Sequence, residues 1–239
     1  MQADGDRADR MDGTDGTDGT GMTDKNQETP TDGRRTSGRS EQYFTASPAS
    51  PDERRTIQVN LAGHQIPVQV SNGVFSANRL DLGTSVLLKK APTPPPTGDF
   101  LDLGCGWGPI ALSMGLLSPE ANVYAVDVNE RALDLTRRNA ESNGLKGIQA
   151  VLPDQLPDDL MFDLIWSNPP IRVGKEALHE LLMNYLPRLK PEGRAYLVVQ
   201  RNLGADSLVP WLSKNLGDGW TVTKAASAKG FRIIEIGRA

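Results

Sequence analysis

The stretch "SNPPIRVGKE" (167–176) follows an apolar run, "FDLIW", and places one side-chain amide before two prolines. A residue that precedes proline is pushed toward extended backbone, so Asn168 is held there, and Pro169 is restrained in turn by Pro170. Neither proline carries an N–H. The Asn168 side-chain oxygen and the Pro169 carbonyl are therefore expected as two fixed, free acceptors. Acceptors suit an exocyclic amine on a planar ring, whose lone pair is delocalised and poorly nucleophilic. Binding its two N–H groups favours a more tetrahedral nitrogen with the lone pair aimed at an electrophile. Alignment of this kind is worth up to ~7–11 kcal/mol and needs no titrating base. An oxyanion hole would need donors instead. The plainer alternative is a rigid strand exit without chemistry.

A second constellation is "LDLGCGWGP" (101–109) with Asp127 at the end of the next apolar run, "NVYAVDV". Gly104, Gly106 and Gly108 permit a tight turn, close approach of a ligand to the backbone, and tight helix packing. A carboxylate such as Asp127 can accept both hydroxyls of an adenosine ribose at the switch point of an open α/β sheet. Asp154, after the third strand, suits either an adenine contact or a solvated loop acid. Cys105 lies inside the glycine turn, but with no histidine near it in sequence it reads as a small lining residue and not as a nucleophile.

The elements that must carry these groups alternate strand and helix from residue 99 onward. "DFLDL", "NVYAVDV", "IQAVL", "FDLIWSN" and "RAYLVVQ" read as strands. "PIALSMGLL", "NERALDLTRRNAESNG", "KEALHELLMNYLPRL" and "LVPWLSKNL" read as helices, with Pro109 in a first turn and Asn129 as a cap. "WTVTKAA" and "FRIIEIG" close the chain as paired strands. This order predicts an α/β fold: a mostly parallel seven-stranded sheet with helices on both faces. Upstream, 55–60 and 65–70 form a β-hairpin around Gly63, and a short helix starts near Thr84. "APTPPPTG" (91–98) breaks the chain, giving divisions at 1–40, 41–98 and 99–239. The Leu178, Leu181, Leu182, Leu186 and Leu189 stripe reads as core, and His179 as a surface or packed side chain.

Residues 1–40 contain no Val, Ile, Leu, Phe, Trp, Tyr or Cys and are expected to be a disordered tail. They hold nine of the 30 acids and six of the 26 bases, so the rest of the chain, with 21 and 20, is nearly neutral. That balance argues against a generic nucleic-acid coat; any RNA contact must be local. Arg172 and Lys175 adjoin Asn168 and are candidate substrate contacts, while Arg201, Lys229 and Arg232 sit near later strand ends. One cysteine excludes an internal disulfide and fits a cytoplasmic location. With two separated histidines, a metal site is not expected. No apolar run suits a membrane span or a signal peptide.

"DLGCGWG" with Asp127 resembles motif I of S-adenosylmethionine-dependent class I methyltransferases, which have a Rossmann-like fold. "SNPPIRVGKEALHELL", together with "GVFSANRLDLGTSVLL" and "VVQRNLGADSL", resembles the small-methyltransferase-domain family of 16S rRNA guanine-N2 methyltransferases over residues 43–239. The resemblance implies S-adenosylmethionine as cofactor, S-adenosylhomocysteine as product, and 16S rRNA or the small ribosomal subunit as partner. It gives Asp102, Gly104, Cys105, Gly106, Gly108, Asp127 and Asp154 to cofactor binding. Phe75, Ser76, Asp81 and Gly83 would close over the pocket, and Asn168, Pro169 and Pro170 would act on the amine. Related enzymes carry an aromatic residue where this chain has Ile171, so base stacking is expected either to come from elsewhere, with Phe75 and Trp107 as candidates, or to be weaker. The alternatives are a protein glutamine N5-methyltransferase, a catalytically silent RNA-binding assembly factor and, least favoured, an NAD-dependent oxidoreductase, whose glycine spacing differs.

Overall fold

A computed structural model describes residues 50–239. The expected disordered tail, 1–40, lies outside the described residues. β1 (Arg54–Leu61) and β2 (His64–Ser71) form an antiparallel hairpin. Its two turn residues, Ala62 and Gly63, have φ of 51° and 83°, the backbone that lets a two-residue turn follow the twist of its strands. Alternate residues of the hairpin, among them Val59, Leu61, Val68 and Val70, are buried against Trp107, Leu112 and Leu135.

The main sheet contains β3 (Asp99–Leu103), β4 (Asn122–Val126), β5 (Ile148–Val151), β6 (Phe162–Ser167), β7 (Leu189–Gln200), β8 (Trp220–Ala228) and β9 (Phe231–Arg238), in the order β5-β4-β3-β6-β7-β9-β8. The first five run parallel and the last two are antiparallel, as the element order predicts. The order reverses between β3 and β6, which creates the crevice where open α/β sheets bind ligands. α1 (Leu82–Lys90), α2 (Pro109–Leu117) and α3 (Glu130–Ser142) contribute to the core on one face, with Phe100, Leu164 and Val198. α4 (Lys175–Tyr185) and α5 (Ala205–Leu216) cover the other, with Leu101, Ile165 and Leu197. Burial on both faces explains why the strands read as nearly continuous apolar runs.

Several boundaries differ from the sequence expectation, and three of them have a local cause. α1 begins at Leu82 and not near Thr84, because the Asp81 carboxylate accepts the Thr84 N–H at 3.0 Å and caps the helix two residues earlier. α4 stops at Tyr185 and passes into a short 3-10 turn at Pro187, where an α-helix cannot continue unstrained. β7 starts at Leu189, ahead of the expected "RAYLVVQ", across an irregularity in which Glu192 takes φ 64°. Among the described residues no helix is long and apolar enough to cross a membrane.

Candidate active site

β3 and β4 end side by side, with Leu103 opposite Val126, so the loops that follow them meet. The Gly104 and Cys105 N–H groups donate to the Val126 carbonyl at 2.8 and 3.0 Å, tying the glycine turn to the end of β4. The Gly106 N–H donates to Asp127 Oδ2 and the Asn129 N–H to Asp127 Oδ1, both at 2.9 Å. Each carboxylate oxygen thus holds one backbone N–H and keeps lone-pair capacity on the side that lines the cleft. Gly104 and Gly106 have φ of 79° and 58°, and a Cβ at either would meet no atom within 4 Å. Side chains there would project into open space, which is the shape of a backbone cradle. Gly108 differs: a Cβ would lie 2.9 Å from Thr136, so this glycine packs the turn against α3.

Asp102 is wholly buried beneath that turn. Its Oδ2 accepts the Ala111 N–H at 2.8 Å, but its Oδ1 has no partner among the described residues. Burial, and then the nearby Asp127 charge, push its carboxyl up to about 8. The sign follows directly: the folded chain keeps a proton there that an unfolded aspartate releases near pH ~4, so stability from this group falls as pH rises from ~4 to 8. Burial raises Asp127 as well. Asp102→Asn is therefore expected to flatten, without abolishing, the decline in melting temperature between pH 5 and 8, read by differential scanning calorimetry of the ligand-free chain. An unchanged slope would contradict it. Cys105 is buried, its thiol pushed well above the usual range by burial and the two acids. That disfavours a thiolate, in line with the expected lining role.

Asn168 projects from the end of β6. Its Nδ2 donates to Asp81 Oδ2 at 2.9 Å and to Thr84 Oγ1 at 3.0 Å. An ionised carboxylate only accepts, so the amide nitrogen must face Asp81. Both amide hydrogens are spent on α1, and Oδ1 is left as the acceptor. Asp81, expected as a cofactor contact, borders the smaller pocket, and its Oδ2 also caps α1 and holds the amide.

One expectation needs correction. Pro169 was to offer a free carbonyl, but that carbonyl accepts the Ile171 N–H at 2.8 Å. Pro170, at φ −75° and ψ 74°, sits at the centre of this inverse γ-turn. Only the second lone pair of the Pro169 oxygen remains for a ligand. Trp107, at 1 % exposure, is sealed in the core beneath the hairpin and cannot stack on a base. Ile171 packs onto the core of the opposite face.

These elements enclose a cleft of about 160 Å³, with Gly104, Gly106 and Asp127 on one side and Pro170, Ala177 and Leu181 on the other. A smaller pocket of about 20 Å³ adjoins it, bordered by Ser76, Asp81, Thr84 and Cys105. Phe75 and Asn168 line both. The "GVFS" segment is tied into place by Asn129, whose Nδ2 donates to the Gly73 carbonyl at 2.9 Å while its Oδ1 caps α3. Within the segment, Ser76 holds a left-handed φ of 56°, and its hydroxyl donates to the Arg79 carbonyl at 2.6 Å. Such strain persists only where surroundings impose it.

Three other expected residues do not line the cleft among the described side chains. Asp154 is exposed on a 3-10 turn, and its neighbour Pro153 lines the cleft instead. Lys175 is exposed on the first turn of α4; the Arg172 side chain lies outside the described residues. Sequence reasoning missed Thr84, Asn129 and the cleft stripe Ala177, Leu181 and Tyr185. Leu181 had been read as core. The signal was present: positions 177, 181 and 185 repeat every fourth residue, one step off the buried Leu178, Leu182 and Leu186.

Comparison with known proteins identifies the family and the fold. The methyltransferase small domain matches residues 65–235. An uncharacterized protein of Bacillus subtilis, YbxB, is 32% identical over 199 residues, covering 82% of this chain and 98% of that protein. A ribosomal RNA large subunit methyltransferase G from Shewanella is 30% identical over 72% of this chain, and a ribosomal RNA small subunit methyltransferase C from Pseudoalteromonas translucida is 34% identical over 58%. The chain spans 46% and 40% of the lengths of those two enzymes. Among solved structures, the T. thermophilus 16S rRNA N2 G1207 methyltransferase, in complex with AdoMet and guanosine, superposes with a TM-score of 0.66 at 23% identity, over 79% of this chain and 52% of that one. The chain is a member of the methyltransferase small domain family, with its Rossmann-like fold.

Proposed function

We propose that this chain transfers a methyl group from S-adenosylmethionine to an exocyclic amine of ribosomal RNA, with guanine N2 of 16S rRNA as the acceptor. The observation that carries this is the Asn168 amide, which lines the cleft and whose two hydrogens are held by Asp81 and Thr84, leaving Oδ1 as its acceptor. The residues present fit the cofactor. Gly104 and Gly106 give an open backbone cradle, Asp127 lines the cleft with spare lone pairs for a ribose diol, and Asp102 Oδ1 is a buried, unpartnered polar atom below the turn. Bound there, S-adenosylmethionine supplies an electrophilic methyl on its sulfonium.

The chain's own part is positioning. Asn168 Oδ1 and the remaining lone pair of the Pro169 carbonyl receive the two amine hydrogens. The nitrogen lone pair is thereby freed from the ring and turned toward the methyl donor. The apolar walls at Leu181, Pro170 and Phe75 keep water from competing. No side chain needs to change protonation for the transfer itself. Acting on ribosomal RNA, the protein would work in the cytoplasm.

The two rRNA relatives act on different subunits by name, so the test separates them. Purified small and large subunits from a strain lacking the gene are incubated with methyl-labelled S-adenosylmethionine. Label is expected in RNA of the small subunit. Label in large-subunit RNA would move the substrate, and label in protein glutamine would replace the reading with the alternative chemistry.

Asp81 also makes a prediction of its own. Asp81→Asn puts an amide where the carboxylate stood and removes the constraint on the direction of Asn168. A ~10–100-fold fall in kcat is expected, the range in which supporting contacts to a catalytic group act, with KM for RNA changed little. Equal loss in both, or loss of folding without loss specific to turnover, would assign Asp81 to stability alone.

A further inference from the structure

The described residues hold equal numbers of acids and bases, 20 each, yet their cations are unevenly committed. Arg54, Arg138, Lys190 and Arg194 are tied to carboxylates, and Arg137, Arg188 and Arg238 to backbone carbonyls. Several exposed cations make no ion pair with another described residue, and three of them, Arg201, Lys224 and Lys229, stand where β7 ends and the β8–β9 hairpin turns. Asp206, the acid whose charge Arg201 and Lys224 feel, is already taken by Arg232 at 2.8 Å.

This corner is joined to the reactive amide by direct contacts. Asp81 holds Asn168 at 2.9 Å. The next residue but one, Gly83, abuts the Phe231 ring so closely that a Cβ would lie 2.9 Å from it. Phe231 opens β9 beside the tight turn at Lys229 and Gly230, and the Gly230 carbonyl accepts the Arg201 N–H at 2.8 Å. Two large apolar side chains are exposed on the same path: Leu82 at 46 % and Leu203 at 37 %. Unneutralised cations next to exposed apolar groups match an RNA strand, whose phosphates seek charge and whose splayed bases seek apolar faces.

We propose that the β7 exit and the β8–β9 turn form the docking surface for the RNA substrate, with Arg201, Lys224 and Lys229 on phosphates and Leu82 and Leu203 against bases. This rests on RNA being the substrate. It gives a chain whose described residues carry no net charge a local means of holding RNA beside Asn168.

The test measures binding of the full chain to protein-free 16S rRNA across a salt series. The variant carries Arg201→Gln, Lys224→Gln and Lys229→Gln. A matched control carries Arg55→Gln, Arg138→Gln and Lys146→Gln, three exposed cations on β1, on α3 and in the loop before β5, the strand at the opposite edge of the sheet from β8. Removing three phosphate contacts should lower the slope of log affinity against log salt by ~2 and weaken binding ~10-fold or more near physiological salt. The control should keep the parent's slope. A corner variant with the parent's slope, or a control that loses as much as the corner variant, would overturn the surface. The two readings separate cleanly: methyl transfer to rRNA by the parent with an unaltered corner variant sinks only the surface. Salt-dependent RNA binding lost in the corner variant, with no transfer to any rRNA by the parent, sinks only the activity.

Discussion

Asn168→Ala is expected to lower methyl transfer by ~10²–10³-fold while leaving the affinity for S-adenosylhomocysteine within about twofold, the magnitude that removal of one preorganised hydrogen-bonding group at a reacting centre produces. The split follows from where the side chain is anchored. Its nitrogen is bound to α1 through Asp81 and Thr84, while the glycine turn and Asp127 are anchored to each other and to β4. Removing the amide therefore takes away the amine's acceptor without loosening the cradle. Asn168→Asp is the sharper companion. It keeps an acceptor oxygen but sets a second carboxylate beside Asp81, so repulsion should move the side chain, and activity should stay near the alanine level. Single-turnover assays with saturating cofactor check both. Normal turnover by Asn168→Ala would remove the amide from the mechanism.

The second large effect is expected at Asp127. Hydrogen bonds to charged groups contribute ~1.5–3 kcal/mol each, so losing both ribose acceptors in Asp127→Ala should weaken S-adenosylhomocysteine binding by ~10²-fold or more, measured by calorimetry. Asp127→Asn retains one acceptor oxygen and should fall between the two. Asp127 also receives the Gly106 and Asn129 N–H groups, so the alanine variant should melt earlier as well. The asparagine variant separates these effects, because it can still accept one of the two. If both variants bound the ligand like the parent, the ribose assignment would be wrong.

Much of this site was legible from sequence because its anchors are backbone devices. A glycine turn, an acid ending a strand and an amide locked by prolines each leave a local signature, and alternating apolar runs fix the sheet edge where they meet. The hairpin turn at Ala62 and Gly63, the Asn129 cap and the closing β8–β9 pair were legible for the same reason. What escaped was long-range pairing. Thr84 lies 84 residues from Asn168, and no local pattern links them. The Pro169 carbonyl was misjudged because counting donors and acceptors does not reveal a γ-turn, which needs the Pro170 torsions. Trp107 looked available from its place in the glycine turn, but the hairpin that buries it comes from nearly forty residues upstream. The role of Leu181 was hidden by an adjacent core stripe with the same repeat.

The central claim is that Asn168 presents an acceptor to a guanine amine in 16S rRNA. Its most direct test is nucleoside mass spectrometry of 16S rRNA from small subunits of a strain lacking the gene, after incubation with S-adenosylmethionine and either the parent or Asn168→Ala. The expected result is new N2-methylguanosine with the parent and almost none with the variant. Methylation at another atom or in another RNA, or equal N2-methylguanosine from both proteins, would contradict it.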